Sequence, residues 1–348
     1  MAGSNSEYSF PIKQQLSAGL DTNVKILICG LGAIGERHLG NLLTLGYTDI
    51  SLMRTTNNPF RTIKGEFPTF NDLDIALAEK PDIVFVCNPT SLHVETITNA
   101  LDAGCHVFTE KPVATTIEEC NVIQIAIQRS GKSLMVGYNM RFHPTLIAVK
   151  DWIDSGRIGT PIYTRTQWGE YLPGWHPWED YREGYAARSD LGGGPALTLS
   201  HEIDLLLWVF GKHATVKAHA NTSSSLELQT EHGIDILLGF ESGVTGNVHL
   251  DYFHQPPARS SEFIGEGGRI EFEYYSGIAK LYGTESSEPV EILKTPSEWD
   301  RNDMFIDELK SLFDSIESGI PLSPSFDDGL AVVDVASKAL IDAGIKQN

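Results

Sequence analysis

Two stretches of the chain hold residues suited to proton transfer and to stabilising a negative oxygen. The first is Glu110-Lys111-Pro112, directly after the strand-like run His106-Val107-Phe108-Thr109. The proline restricts Lys111 to extended geometry and permits a cis peptide, an unusual setting for an ordinary surface lysine. Beside a substrate oxygen, such a lysine stabilises developing charge or shuttles a proton. The second is Gly192-Gly193-Gly194, which feeds a helical segment carrying His201, Glu202 and Asp204. His201 is an acid–base candidate, and its bland alternative is a satisfied core histidine. The glycines upstream permit close approach of another backbone or a ligand, which favours catalysis. A Glu-Lys surface dipeptide is common, so each stretch alone is weak.

These residues need a scaffold, and the stretch Val24 to Gly35 names one. Val24, Ile26, Leu27 and Ile28 form a buried-strand run, followed by Gly30-x-Gly32-x-x-Gly35 and an amphipathic helix with Ile34, Leu39, Leu42 and Leu43 apolar. In a dinucleotide fingerprint Gly30 makes the turn, Gly32 lets a pyrophosphate approach, and Gly35 packs helix on strand. With Ala33 and Ile34 opening the helix, this strand–turn–helix order favours a nucleotide site over a structural turn. Strands then alternate with helices: strands at 49–53, 82–87, 106–109 and 133–136, helices at 72–79, 92–103 and 117–129. That alternation predicts a parallel, doubly wound sheet with ligands beyond the strand carboxyl ends. Gly30, Arg54, Asn88 and Lys111 all fall there. Arg54 with Thr55 stands where an acid would select NAD. It therefore points to the 2′-phosphate of NADP(H), unless it is a solvated surface arginine.

After a helix over 144–155 the texture changes. Strands at 162–170, 215–220, 233–240, 244–252 and 269–275, with a shorter pair near Ala279 and Val290, predict a largely antiparallel sheet in an α+β domain. Helices at about 201–210, 297–318 and 327–344 complete it. Three segments result: a flexible arm over 1–23, a Rossmann domain over 24–143, and a substrate and oligomerisation domain over 144–348. The last helix of the third segment is expected to pack back on the second. Between strand 162–170 and the rest of the sheet, Tyr171, Trp175, His176, Trp178, Asp180, Tyr181, Arg182 and Tyr185 interleave rings with polar groups. That mixture suits a carbohydrate, or a structured loop between domains.

Composition sets the outer limits. The 348 residues carry 26 Lys and Arg against 46 Asp and Glu, a formal charge of −20. Such a surface argues against nucleic acid or anionic membranes as partners. No apolar run has the length of a membrane span, and residues 1–23 lack a secretion-signal core. Four scattered cysteines without CxxC spacing read as buried thiols of a cytoplasmic protein rather than disulfides or metal ligands.

Together, Gly30-Leu-Gly-Ala-Ile-Gly35, Glu110-Lys111-Pro112 and the run Gly192 to Asp204 resemble the glucose–fructose oxidoreductase, inositol dehydrogenase and MocA-like family over residues 24–345. The resemblance implies an N-terminal NAD(P) domain, catalysis by Lys111 and His201, and a homodimer or homotetramer built through the open face of the second sheet. Cofactor contacts are then expected from Gly30, Gly32, Ala33, Ile34, Gly35, Arg54, Thr55, Asn88, Pro89, Thr90, His93, Glu110 and Lys111. Substrate contacts are expected from Asn139, Arg141, Trp168, Tyr171, Trp175, His176, Tyr181, Thr198 and His201, with no metal. The stretches Tyr138 to Pro144 and Tyr171 to Trp175 look like a branch associated with sugars of surface polysaccharides. One departure stands out: many members have an aspartate where this chain has Thr198, which can hydrogen-bond but supplies no charge. Glu202 or Asp204 would have to replace it from other helix directions. The implied activity is hydride transfer between NADP(H), or NAD(H), and a carbinol carbon of a sugar, nucleotide sugar or cyclitol. The alternatives are a nicotinamide-assisted glycosidase or lyase without net cofactor turnover, and a non-enzymatic NADP(H) sensor.

Overall fold

The computed structural model describes residues 23–55, 60–61, 63–175, 180–285 and 287–346. The first sheet uses strands β1 (Ile26–Cys29), β2 (Ile50–Met53), β3 (Thr69–Phe70), β4 (Ile83–Val86), β5 (His106–Thr109) and β6 (Leu134–Val136) in the order 3-2-1-4-5-6. Every pairing in it is parallel. The order reverses between β1 and β4, so a crevice opens at their carboxyl ends. The sequence reading omitted only β3, two residues long and flanked by turns. Helices α1 (Ala33–Thr44), α2 (Leu73–Ala78), α3 (His93–Asp102) and α4 (Ile117–Ser130) make the crossovers. Strands β1 and β4 are buried along their whole length, which explains their unbroken apolar runs.

Helix α5 (Pro144–Asp154) leads into the second sheet. Its strands are β7 (Pro161–Gly169), β8 (His213–Asn221), β9 (Gly233–Phe240), β10 (Thr245–Asp251), β11 (Ala258–Gly265), β12 (Gly268–Glu273), β13 (Ile278–Gly283) and β14 (Glu291–Lys294). They run in the order 14-13-12-11-7-10-9-8, and only the β7–β10 pairing is parallel. Strand β11 was not legible in the sequence. Its buried positions hold Arg259 and Ser261 before Phe263, so the apolar alternation that marks a half-buried strand is absent.

One face of this sheet is covered. Short helix α6 (Pro195–Thr198) and helix α7 (His201–Phe210) lie against it, with Leu206 over Gly246 of β10, where a Cβ would stand 3.1 Å from the leucine Cδ1. The other face presents polar residues, among them Arg165, Gln167, Asn247, His249, Glu262 and Lys280. Helices α8 (Arg301–Ser318) and α9 (Phe326–Asp342) return to the first domain. Leu309, Leu312 and Phe313 of α8 enter the core made by β1, β2 and α1, and Ser325 bridges to Met135 on β6. The four cysteines are buried and unpaired, with burial pushing the Cys105 thiol up to about 11. Among the described residues no helix is long and apolar enough to cross a membrane.

Candidate active site

Two of the three glycines after β1 answer a steric demand. Gly30 has φ +96°, and a Cβ there would stand 2.6 Å from Asn88 N; a Cβ on Gly35 would stand 2.0 Å from Gly30 O. Gly32 differs, since a Cβ there would meet nothing within 4 Å. Gly32 is also the N-cap of α1 and makes no side-chain cap, so the amides of Ala33, Ile34 and Gly35 have no partner within the helix or cap. Open space in front of a twelve-residue helix's N-terminus fits a pyrophosphate. Arg54 and Thr55 follow β2, and the Arg54 guanidinium carbon lies 5.5 Å from the Phe60 ring centroid. Asn88, Pro89 and Thr90 follow β4, and Glu110 and Lys111 follow β5, so the expected cofactor residues share one rim. The buried Asn88 Oδ1 has no hydrogen-bond partner, as suits a group that meets a ligand.

His93 is held by two loop carbonyls. It is buried at the start of α3, with Nδ1 2.9 Å from Pro112 O and Nε2 2.9 Å from Asn88 O. Both ring nitrogens thus brace the loops after β4 and β5. Glu110 is similarly engaged: its carboxylate lies 2.7 Å from His38 Nε2 and accepts the Lys111 amide, and these contacts hold it below the usual carboxylate range despite burial.

Lys111, joined to Pro112 by a cis peptide, reaches toward the second domain, where Nζ donates to the carbonyl of Thr198. Burial pushes the Lys111 ammonium down to about 8, with Arg259 adding to the fall and Glu110 and Glu202 opposing it. Thr198 lies three residues before His201, so the two candidate catalysts are tied through one short segment. His201 begins α7 and is 6% exposed, edge-on to Tyr138 at 5.7 Å and tilted against Trp168 at 5.9 Å. Burial, and then the positive charges of Lys111 and Arg259, lower its pKa well below the ordinary histidine value. The imidazole is therefore neutral at physiological pH, and the same burial and charges lower its basicity. Its Nδ1 is buried without a partner, which leaves Nε2 to meet a substrate.

The expected substitutes for the absent aspartate are all occupied elsewhere. The Thr198 hydroxyl bonds Gly194 O and the Tyr252 hydroxyl, away from the imidazole. Glu202 pairs with Arg259 through two bonds of 2.7 and 3.0 Å, and Asp204 pairs with Arg141 at 2.6 and 3.0 Å. Among the described residues no carboxylate pairs with His201, which is held by the packing of Tyr138 and Trp168. Arg141 is buried between Asp204 and Asp328, spends Nε and Nη2 on them, and so joins three segments of chain. The Tyr181 hydroxyl is spent on Leu226 O, leaving its ring as the available surface. Asn139 is buried beside Arg141 in the turn after β6, Trp175 packs edge-on against Tyr252 at 5.6 Å, and Tyr171 is exposed. His176 lies outside the described residues, as does Trp178.

Two residues missed in the sequence complete the site. Arg259 on β11 lies 4.0 Å from the Trp168 ring centroid and 4.8 Å from that of Tyr274, placing a buried cation near His201 and Lys111. Tyr252 follows β10 and donates to Ala186 O. Their only sequence signal was a polar residue at a strand's inward register, invisible until the register was known. Beneath the glycine run, Glu231 accepts the Ala196 amide at 2.9 Å, and a Cβ on Gly194 would strike its carboxylate. Burial pushes the Glu231 carboxyl up to about 7 from 4.5. A raised carboxyl favours folding below pH 4.5 and loses that contribution as pH rises through 7. Glu231→Gln should therefore gain stability relative to wild type by up to about 3 kcal/mol between pH 4.5 and 8. Denaturant titrations at both pH values measure this; parallel wild-type and variant profiles would refute the assignment.

With this geometry in place, comparison with known proteins is informative. Residues 24–138 match the "Oxidoreductase family, NAD-binding Rossmann fold" and residues 146–271 match the GFO/IDH/MocA C-terminal domain. A 1-carboxy-3-chloro-3,4-dihydroxycyclohexa-1,5-diene dehydrogenase from Comamonas testosteroni is 31% identical over 59% of this chain and 51% of its own. The chain thus spans about half the length of that relative and 63% of the Bacillus subtilis oxidoreductase YrbE. An inositol 2-dehydrogenase/D-chiro-inositol 3-dehydrogenase from Lacticaseibacillus casei is 27% identical over 91% of both chains. Among solved structures, levoglucosan dehydrogenase with NADH and levoglucosan superposes with TM-score 0.81 at 19% identity, covering 92% of this chain and 97% of that one. The two matched domains, in order and over most of the described core, leave one conclusion: the chain belongs to the Gfo/Idh/MocA oxidoreductase family.

Proposed function

We propose that this protein transfers a hydride between a nicotinamide dinucleotide and a carbinol carbon of a sugar, nucleotide sugar or cyclitol. The observation that carries this reading is the meeting of Lys111 with the segment leading into His201, at the carboxyl rim of the first sheet. The nicotinamide, when bound, supplies the hydride acceptor or donor. The chain supplies the rest. His201, neutral and desolvated, takes the hydroxyl proton in oxidation and returns it in reduction. Lys111 holds the same oxygen and offsets its developing charge. Trp168, Trp175 and Tyr181 offer rings for a sugar face, and Arg259 stiffens Trp168 from behind. Similarity to dehydrogenases of inositol, and to a fold solved with levoglucosan, supports this substrate class. The test is a panel of sugars, cyclitols and nucleotide sugars with both nicotinamides, read as nicotinamide absorbance; silence across the panel with cofactor bound would favour the lyase or sensor alternatives.

Preference for NADP(H) over NAD(H) is proposed on Arg54, which follows β2 in a stretch, residues 54–60, whose sequence holds no acid. Arg54→Ala should weaken NADPH binding by about tenfold to a hundredfold, as expected for losing one charged phosphate contact, and leave NADH binding within about twofold. Fluorescence titration of both cofactors measures it, and equal losses would remove Arg54 as selector. The open polar face of the second sheet is proposed to pair copies of the chain in a homodimer or homotetramer, and cytoplasmic residence is proposed on the four buried, unpaired thiols.

A further inference from the structure

We propose that His249, Asp251 and His254 form a binding site for one divalent transition-metal ion, with Zn2+ the best-matched, on the face of the second sheet opposite His201. His249 and Asp251 lie two apart on β10, so both side chains leave the same face. The chain then turns and returns His254 over them. His249 Nε2 lies 3.1 Å from Asp251 Oδ2, and His254 Nδ1 lies 2.5 Å from the same oxygen. One ligand atom from each residue lies within 4.8 Å of the other two. A tetrahedral ion about 2.0–2.1 Å from each donor would hold them roughly 3.4 Å apart, so the shifts needed are on the order of one ångström.

Three further features prepare this constellation. The second nitrogen of His249, Nδ1, lies 2.9 Å from Asp235 Oδ1, the carboxylate–histidine pairing that fixes ring orientation and leaves Nε2 as the donor to a metal. The other oxygen of Asp251 accepts the amides of Phe253 and His254 at 2.6 and 3.1 Å, which aims Oδ2 at the cluster. Gly169, which pairs with Asp251 across β7, leaves the room: a Cβ there would stand 2.1 Å from His254 Nδ1 and 2.3 Å from Asp251 Oδ2. Within a single chain both imidazoles are about one third exposed, so water, or a group of a second copy packed on this face, can supply a fourth position. Two imidazoles and one carboxylate favour Zn2+ and its neighbours over Mg2+ or Ca2+, which take oxygen donors. Tyr252, between two of the ligands, points the opposite way to the Thr198 hydroxyl. The ion thus clamps the turn whose other side supports the active site.

The experiment uses the full chain stripped with a chelator and then titrated with Co2+ followed by Zn2+. One equivalent of Co2+ should give the visible absorption of a low-coordinate site and be displaced by one equivalent of Zn2+. The melting temperature should rise with Zn2+ concentration. His249→Ala and His254→Ala should each weaken binding at least about a hundredfold, and Asp235→Asn about tenfold to a hundredfold. His219→Ala, on exposed β8, should bind as wild type. Folding of each variant is checked by circular dichroism, and His249→Gln and His254→Gln replace any alanine variant that fails. Absence of a saturable one-to-one Co2+ spectrum, or an unchanged spectrum in a folded His254 variant, would overturn the proposal.

Discussion

His201→Ala should lower kcat by about 10²- to 10⁴-fold, the usual contribution of a positioned acid–base group, while nicotinamide binding stays within about twofold of wild type. In barrier height this is about 3–5 kcal/mol. The split follows from where the residue stands. His201 lies on α7 of the second domain, whereas Gly30 to Gly35, Asn88 and Pro89 belong to the first. Truncation removes the proton acceptor and leaves the dinucleotide rim intact. It also opens a space between Tyr138 and Trp168, so some stability loss accompanies the change. His201→Asn separates these effects, since it refills part of the space without restoring a base. Turnover within tenfold of wild type in both variants would show that another group moves the proton.

The second large effect concerns Lys111. Its ammonium titrates at about 8 and His201 far below neutrality, so the two required forms, charged lysine and neutral histidine, coexist from acidic pH up to about 8. For oxidation, kcat/KM should be level across that range and fall about tenfold per pH unit above it, as Lys111 loses its proton. Lys111→Met should lower kcat/KM by about 10²- to 10³-fold and abolish the alkaline fall, because no titrating cation remains to hold the oxygen. A rate that rises through pH 8 would reverse the roles and make neutral Lys111 the base.

The sequence revealed the first domain almost completely, for a physical reason. Parallel strands buried on both faces appear as short apolar runs, and two of the crossover helices carry N-cap side chains, Asp72 on α2 and Thr116 with Glu119 on α4. The second sheet was legible wherever one face stayed apolar, and failed at β11, where Arg259 fills an inward position. Lys111 and His201 were found because a proline and a glycine run mark them locally. The roles of their neighbours were set by partners far away in sequence. Tyr252, 54 residues on, captures the Thr198 hydroxyl; Asp204 and Asp328 capture Arg141; and the Pro112 carbonyl, 19 residues on, captures one ring nitrogen of His93. The metal-binding cluster escaped notice because His249, Asp251 and His254 converge only when β10 is extended and the following turn folds back.

The central claim is net hydride transfer to or from a carbinol carbon, and deuterium tests it most directly. The enzyme would be given nicotinamide carrying deuterium at C4 on the transferring face, with the oxidised form of whichever panel compound turns over. Hydride transfer expects one deuterium on the carbinol carbon of each product molecule, matched by one oxidised nicotinamide. Product without deuterium, formed while the nicotinamide pool stays unchanged, would contradict it.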